Sequence, residues 1–311
     1  MLSGKPIREA QVVERKDVEF VGEGEIKLGA WLYMPTRGNG PLPAITMAHG
    51  YAGTRLHGLD RFARRFAENG FIVLVHDHRG FGASEGLPRQ DVDPWRQIAD
   101  WRRAISYLES LDEVDSRRIG LWGTSYAGGH ALVLGATDRR IKCVVSQVPT
   151  ISGFEQGLRR IAPDAVAAVE EAFAEDERAQ LRGEQPIRQA VVSLDPATSA
   201  AYRTQEAAAF YLQLDAQTAW GNHVTLRSAR AARMYEPGIW VARVSPTPLL
   251  MIVALNDTIT VTDLALAAYE RALQPKKLVT IQGGHFDPYL SQFSSASTAA
   301  LGWFEEHLAQ H

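Results

Sequence analysis

The run "RRIGLWGTSYAGGHALVLGA", residues 117–136, can be built in few ways: a short apolar strand, a glycine-dense turn holding Ser125, and an apolar helix. Glycine permits the tight turn and the close backbone approach that a direct strand-to-helix transition demands. Three glycine-rich patterns compete for it. A phosphate-cradling loop would need Lys and then Ser or Thr after Gly128, where Gly129 and His130 stand. A dinucleotide fingerprint would need G-x-G-x-x-G and a carboxylate about twenty residues on, and neither is present. The third pattern is G-x-S-x-G, with Ala127 in place of its last glycine. That turn lifts a serine from the carboxyl edge of a sheet and aims a helix N-terminus at developing negative charge.

The rest of the chain supplies a sheet for this turn. "DVEFV" and "EIKLGAWLYMP" alternate with period two, as half-buried strands of an antiparallel edge do, and "PAITMAHGYAG" reads as a more buried strand ending in a loop. From there helix and strand take turns. "LDRFARRFAENG" closes with a helix-terminating glycine before the strand "FIVLVHDHRG", and "DPWRQIADWRRAISYLESL" sets Trp95, Ile98, Trp101, Ile105 and Leu108 on one helical face. After the strand "IKCVVSQVP" comes a segment rich in Ala, Arg, Glu and Gln, with helical periods such as "DAVAAVEEAFAEDERAQL". The alternation then resumes with the strand "TPLLMIVAL", the helix "VTDLALAAYERAL", the strand "KKLVTIQ" and the helix "STAALGWFEEHLAQ". The expected fold class is α/β, a mostly parallel sheet flanked by helices. Residues 1–149 and 247–311 are expected to form its core, and residues 150–246 an inserted helical cap.

Composition narrows the partners. A chain of 311 residues with 45% apolar content can bury one large core. Its 33 basic and 36 acidic residues, net charge −3, leave no electrostatic footprint for nucleic acid or an anionic membrane, so neither is expected. The opening "MLSGKPIREAQVVERKDVEF" lacks the apolar centre of a signal peptide and no later run is long enough to span a membrane, so a cytoplasmic protein is expected. Cys143, the single cysteine, allows no internal disulfide and reads as a small buried hydrophobe. A homo-oligomer is compatible with all of this.

A serine hydroxyl needs a histidine base, and the base needs a carboxylate to hold its tautomer. On strand–turn–helix elbows of this kind the order is serine, acid, histidine. Of the later histidines, only His285, in "QGGHFDPY", follows a predicted strand; His130 falls in the helix after the serine, His223 in the cap, and His307 and His311 in or beyond the last helix. Asp257, in "MIVALNDTIT", stands just past a strand, whereas Asp263 is placed to open the next helix. The expected triad is therefore Ser125, Asp257 and His285. The two oxyanion donors are expected to be the backbone N–H groups of Tyr126, next to the serine, and of Tyr51, in "AHGYAGT".

"HGYAG", "HDHRGFGASEG", "GLWGTSYAGG", "ALNDTIT" and "GGHFDPY" together resemble the α/β-hydrolase superfamily across nearly the whole chain. Within it the sequence is similar to bacterial acyl hydrolases near the X-prolyl peptidase and cocaine esterase branch, and to fungal polyketide transferases. The resemblance implies an acyl-serine enzyme that uses no cofactor and acts on a small-molecule ester or acyl substrate. The alternatives are an acyltransferase with the same triad and an alcohol or amine acceptor, or a binding protein on a retired hydrolase fold.

Other residues carry weaker signals. His76 and His78 lie on one side of an extended segment, but without further ligands they read as loop-organising residues, and no metal is expected. Glu170 and Glu171 could hold a substrate amine, though a solvated helix face is the simpler reading. Phe210, Tyr211, Trp220 and Trp240 could line an acyl pocket, and of these Tyr211 and Trp220 are the residues expected to touch substrate.

Overall fold

The computed structural model describes residues 11–36, 40–214, 218 and 220–308. In chain order its elements begin with β1 (Val13–Val21), β2 (Lys27–Pro35), β3 (Leu42–Ala48), α1 (Leu59–Glu68), β4 (Ile72–His76), α2 (Pro94–Glu109), β5 (Val114–Thr124), α3 (Tyr126–Thr137) and β6 (Ile141–Gln147). The middle of the chain holds α4 (Gly153–Arg160), α5 (Val166–Leu181), β7 (Arg188–Val192), β8 (Ala200–Tyr202), α6 (Gln205–Tyr211), β9 (Val224–Thr225) and α7 (Leu226–Arg233). The chain then closes with β10 (Leu249–Ala254), α8 (Thr262–Arg271), β11 (Lys276–Ile281) and α9 (Phe293–His307).

Eight strands form one sheet in the order β1-β2-β4-β3-β5-β6-β10-β11. β1 and β2 pair antiparallel, β2 joins β4 antiparallel, and every pairing from β4 to β11 is parallel. From β3 the chain adds β4 on one side and β5 on the other. That reversal opens a crevice at the carboxyl ends of β3 and β5, where ligands of open α/β sheets bind. Pairing of Ala48 with Gly123 sets residues 49–51 beside 124–126. Pairing of Ala254 with Ile281 does the same for the loops after β10 and β11.

Helices cover both faces of the sheet. Trp101, Trp122, Tyr33, Phe62, Phe66 and Phe304 are fully buried, with the Phe62 and Trp122 rings 4.8 Å apart. Asp93 caps α2 by accepting from the Trp95 and Arg96 N–H groups, and Pro94, which has no N–H to satisfy, follows it. Ile98, Trp101, Ile105 and Leu108 point into the core as the 3.6-residue period predicts, but Trp95 is 55% exposed. The first turn of α2 carries Trp95 against Tyr235, at 5.9 Å, instead of the sheet. α3 is buried over Tyr126–Gly135 because it has strands on one side and inserted residues on the other.

The segment between β6 and β10 differs from an all-helical cap. Besides α4–α7 it holds a three-stranded sheet in the order β8-β7-β9. Those strands are five, three and two residues long, too short to impose a period on the sequence. The segment is tied to the core by the Gln90 amide donating to the Gly221 carbonyl, by Val92 N–H donating to Ser228 Oγ, and by a two-pronged Arg227–Asp91 pair.

Candidate active site

Ser125 stands where β5 becomes α3, with φ 57° and ψ −120°, a backbone conformation that L-residues rarely adopt. The surroundings hold it there: its N–H donates to Gln147 O at 2.8 Å, and its carbonyl accepts from Gly128 and Thr150 N–H at 2.9 Å each. A Cβ on Gly123 would collide with the Ala127 carbonyl, and one on Gly50 would lie 2.7 Å from Ser125 Cβ. Both positions therefore require glycine. Ala127 belongs to α3 and has no positive φ, so the residue that departs from the G-x-S-x-G pattern sits where a methyl group suits the backbone.

The loops after β10 and β11 bring the other two predicted partners to the serine. His285 Nε2 lies 2.9 Å from Ser125 Oγ, and its Nδ1 lies 2.7 Å from Asp257 Oδ2. All three side chains are buried. Asp257 Oδ1 accepts from Ile259 and Thr260 N–H at 2.7 and 2.9 Å, and the Thr260 hydroxyl donates to Oδ2 at 2.7 Å. Burial pushes the Asp257 carboxyl up, but His285 and the Thr260 donors outweigh it and hold the pKa down at about 2. The carboxylate thus stays charged and fixes the His285 proton on Nδ1, leaving Nε2 as an acceptor for the serine hydroxyl. Thr260 was not singled out in the sequence, although an Asp followed at the second and third positions by N–H groups it can accept is a known local turn signal.

Asp263 lies in the first turn of α8 and pairs through both oxygens with Arg159 at 2.7 Å, away from His285. His130 is fully buried between the Tyr235 hydroxyl, at 2.8 Å, and Gln97 Oε1, at 3.0 Å. His223 belongs to the inserted segment, His307 packs on Trp303 at the end of α9, and His311 lies outside the described residues.

Tyr51 and Tyr126 are neighbours, their rings edge-on at 5.6 Å. Neither backbone N–H has a hydrogen-bond partner among the described residues. Both are therefore free to donate to an oxygen beside Ser125.

A cavity of about 10 Å3, the space of about one water, adjoins Ser125 and His285; Gly50, His57, Phe210, Tyr211 and Phe286 form part of its wall. Tyr211 thus reaches the site. Trp220 does not line the cavity: its indole N–H donates to Ala52 O at 2.7 Å and its ring packs 5.3 Å from His57. Trp240 is also elsewhere, under the Arg243 guanidinium. Glu170 and Glu171 are engaged on the surface by Arg233 and Arg178.

His76 and His78 are buried near His49 and His130, and none of the four faces a ligand set. Among the described residues no group of three or more His, Cys, Asp or Glu side chains is arranged to hold a metal. Cys143 is buried, which pushes its thiol pKa up. No helix among the described residues is long and apolar enough to cross a membrane.

Sheet order, the strained serine turn and the crevice position together define a protein of the α/β-hydrolase class. Residues 23–287 match the family described as X-Pro dipeptidyl-peptidase (S15 family), and the chain belongs to that family of hydrolases. It is 31% identical to the quorum-quenching protein AidA of Acinetobacter baumannii over 276 residues, covering 89% of each chain. It is also 29% identical to the thiohydrolase aneE of Aspergillus aculeatus, covering 84% of this chain and 83% of that one. The crystal structure of the α/β hydrolase GrgF from Penicillium sp. superposes with a TM-score of 0.83 at 25% identity, covering 96% of this chain and 100% of the other.

Proposed function

We propose that this protein hydrolyses carboxylic esters or thioesters through an acyl-serine intermediate. The observation that carries the reading is the buried, continuous chain from Asp257 through His285 to Ser125, with links of 2.7 and 2.9 Å. Ser125 Oγ attacks the carbonyl carbon as its proton passes to His285 Nε2. The carbonyl oxygen becomes an oxyanion that accepts from the Tyr51 and Tyr126 N–H groups. Collapse expels the alcohol or thiol, which takes the proton from His285. A water then gives its proton to His285, attacks the acyl carbon and releases the acid, restoring Ser125. Asp257 keeps the imidazole in one tautomer and balances its transient charge.

Ester chemistry is preferred over removal of dipeptides because Glu170 and Glu171, the paired carboxylates considered for a substrate amine, are occupied by arginines. An intact set of partners around Ser125 also argues against a retired fold that only binds.

The acyltransferase reading has one specific observation in its favour. The space beside Ser125 is small and walled by Phe210, Tyr211 and Phe286, which would keep bulk water from the acyl-enzyme. A polyketide transferase, grgF of Penicillium sp., is 28% identical over 302 residues. Product analysis with added alcohols and amines separates the two outcomes.

The primary test is labelling with a fluorophosphonate followed by peptide mapping. Label on Ser125 in the wild type and none in Ser125→Ala is expected; label elsewhere, or none on the folded protein, would overturn the assignment.

A further inference from the structure

Of the buried polar side chains on the cavity wall, His57 alone keeps a ring N–H with no well-formed hydrogen bond among the described residues. His57 shares with Ser125 and His285 the wall of a cavity that has the space of about one water, so its ring is near the reacting groups. Its Nδ1 accepts the Thr54 N–H at 2.9 Å, with the Thr54 hydroxyl 3.1 Å away. Burial holds the ring neutral, with a pKa down at about 3. A neutral imidazole whose Nδ1 is an acceptor must carry its proton on Nε2. Among the described residues that buried Nε2–H has no well-formed hydrogen bond; the Tyr211 carbonyl is near enough to favour the protonated ring.

Every other polar side chain on this wall is engaged. Ser125 and His285 bond to each other, His49 Nδ1 to Gly50 O, Thr124 Oγ1 to the Tyr289 hydroxyl, and the Tyr211 hydroxyl to Tyr51 O. A buried donor without a partner costs about 1–3 kcal/mol, and native proteins keep such groups for a reason. The rings of Phe210, Tyr211 and Trp220, centred 5.3–5.8 Å from His57, offer its N–H only weak π faces, not an oxygen acceptor.

We propose that His57 Nε2–H is a specificity-determining donor for an acceptor oxygen that the substrate carries beyond its reacting carbonyl. The inference rests on Ser125 being the nucleophile. It names a substrate class: esters or thioesters with an ether, carbonyl or hydroxyl oxygen in the acyl chain or in the leaving group, in preference to plain hydrocarbons of the same length. A substrate ammonium group does not fit, because the ring offers it no free acceptor.

Matched substrate pairs that differ by one oxygen for one methylene test this. The acyl arm compares 4-nitrophenyl methoxyacetate with butanoate, 3-methoxypropanoate with pentanoate, and 4-methoxybutanoate with hexanoate. The leaving-group arm compares 2-methoxyethyl butanoate with butyl butanoate. The readout is the ether-to-methylene ratio of kcat/KM in wild type, His57→Leu and His57→Gln. Differences in intrinsic reactivity cancel between enzymes, and lost packing lowers both members of a pair alike.

In His57→Leu the ratio is expected to fall about tenfold for at least one pair, the loss of one neutral hydrogen bond, and His57→Gln, which keeps an N–H, is expected to restore most of it. A fall confined to one arm assigns the oxygen to the acyl or the alcohol side. Ratios unchanged in every pair would overturn the proposal. Should the wild type turn over none of these esters, fluorophosphonate labelling of Ser125 decides the nucleophile assignment separately. Ester binding to Ser125→Ala and Ser125→Ala/His57→Leu then decides the His57 question, an equal ether preference in both counting against it.

Discussion

The Tyr211 hydroxyl donates to the main-chain carbonyl of Tyr51 at 2.7 Å, tying the end of α6 to the loop after β3. Trp220 holds the next carbonyl, that of Ala52, at the same distance. With both bonds in place the space beside Ser125 is about 10 Å3, and parting them is expected to widen the way to the serine. Replacing Tyr211 by Phe or Trp220 by Phe removes about 0.5–1.5 kcal/mol from the closed state. Each is expected to speed labelling of Ser125 by a bulky fluorophosphonate, by up to about tenfold. Labelling rates equal to wild type in both variants would show that these two bonds do not gate the site.

Asp257 and Asp263 stand six residues apart and have different partners. Asp257→Asn favours the wrong His285 tautomer and is expected to lower kcat by about 10⁴-fold with little change in KM. Asp263→Asn removes only an exposed pair with Arg159 and is expected to change kcat less than about twofold. Steady-state kinetics on the two variants settles which carboxylate orients the base.

Gly50 has no room for a side chain: an added Cβ would lie 2.7 Å from Ser125 Cβ and 3.0 Å from its Oγ. Gly50→Ala should push the Tyr51 N–H away from the developing oxyanion and cost about 10²–10³ in kcat. The circular dichroism spectrum should stay native. Wild-type turnover in that variant would mean that the loop yields and that Tyr51 is not the donor.

Five of the buried histidines are expected to make this protein acid-labile. Burial lowers the pKa of His49 to about 4, of His57, His76 and His130 to about 3, and of His78 well below the ordinary value. Each gains its proton on unfolding, so the unfolded state binds more protons below about pH 6.5 and stability falls as the pH drops from there toward 4. The loss accumulates over these histidines and grows as the pH falls below about 6.5. Asp257 adds its own loss only lower, between about pH 4 and 2. A Tm that drops steeply between pH 7 and 5, with a shallower slope in His76→Phe, is expected. A Tm flat over that range would refute the account.

The strand-to-helix turn at Ser125, the strand ends carrying Asp257 and His285, and the glycine-bounded loop carrying Tyr51 were all legible, because each depends on residues within a few positions of one another. The same local logic separated Asp257 from Asp263, since β10 ends at Ala254 and α8 begins at Thr262. It went astray where a long-range neighbour decides burial. Trp95 lies on the apolar stripe of α2, yet it packs on Tyr235 of the inserted segment and stays 55% exposed. The short strands β7–β9 carry no period of their own and exist only through pairing.

The sequence by itself thus determined the α/β architecture, the elbow, and which serine, carboxylate and histidine can meet, because hydrophobic period and turn chemistry are local properties. Only the tertiary structure decided what surrounds them. That His57 faces the same cavity as Ser125, that Tyr211 and Trp220 close on Tyr51 and Ala52, and that His49, His76, His78 and His130 pack together follow from contacts between segments remote in the chain. No pattern within one segment encodes such contacts; the pairing order of the core strands and the packing of the inserted segment over the loop after β3 create them.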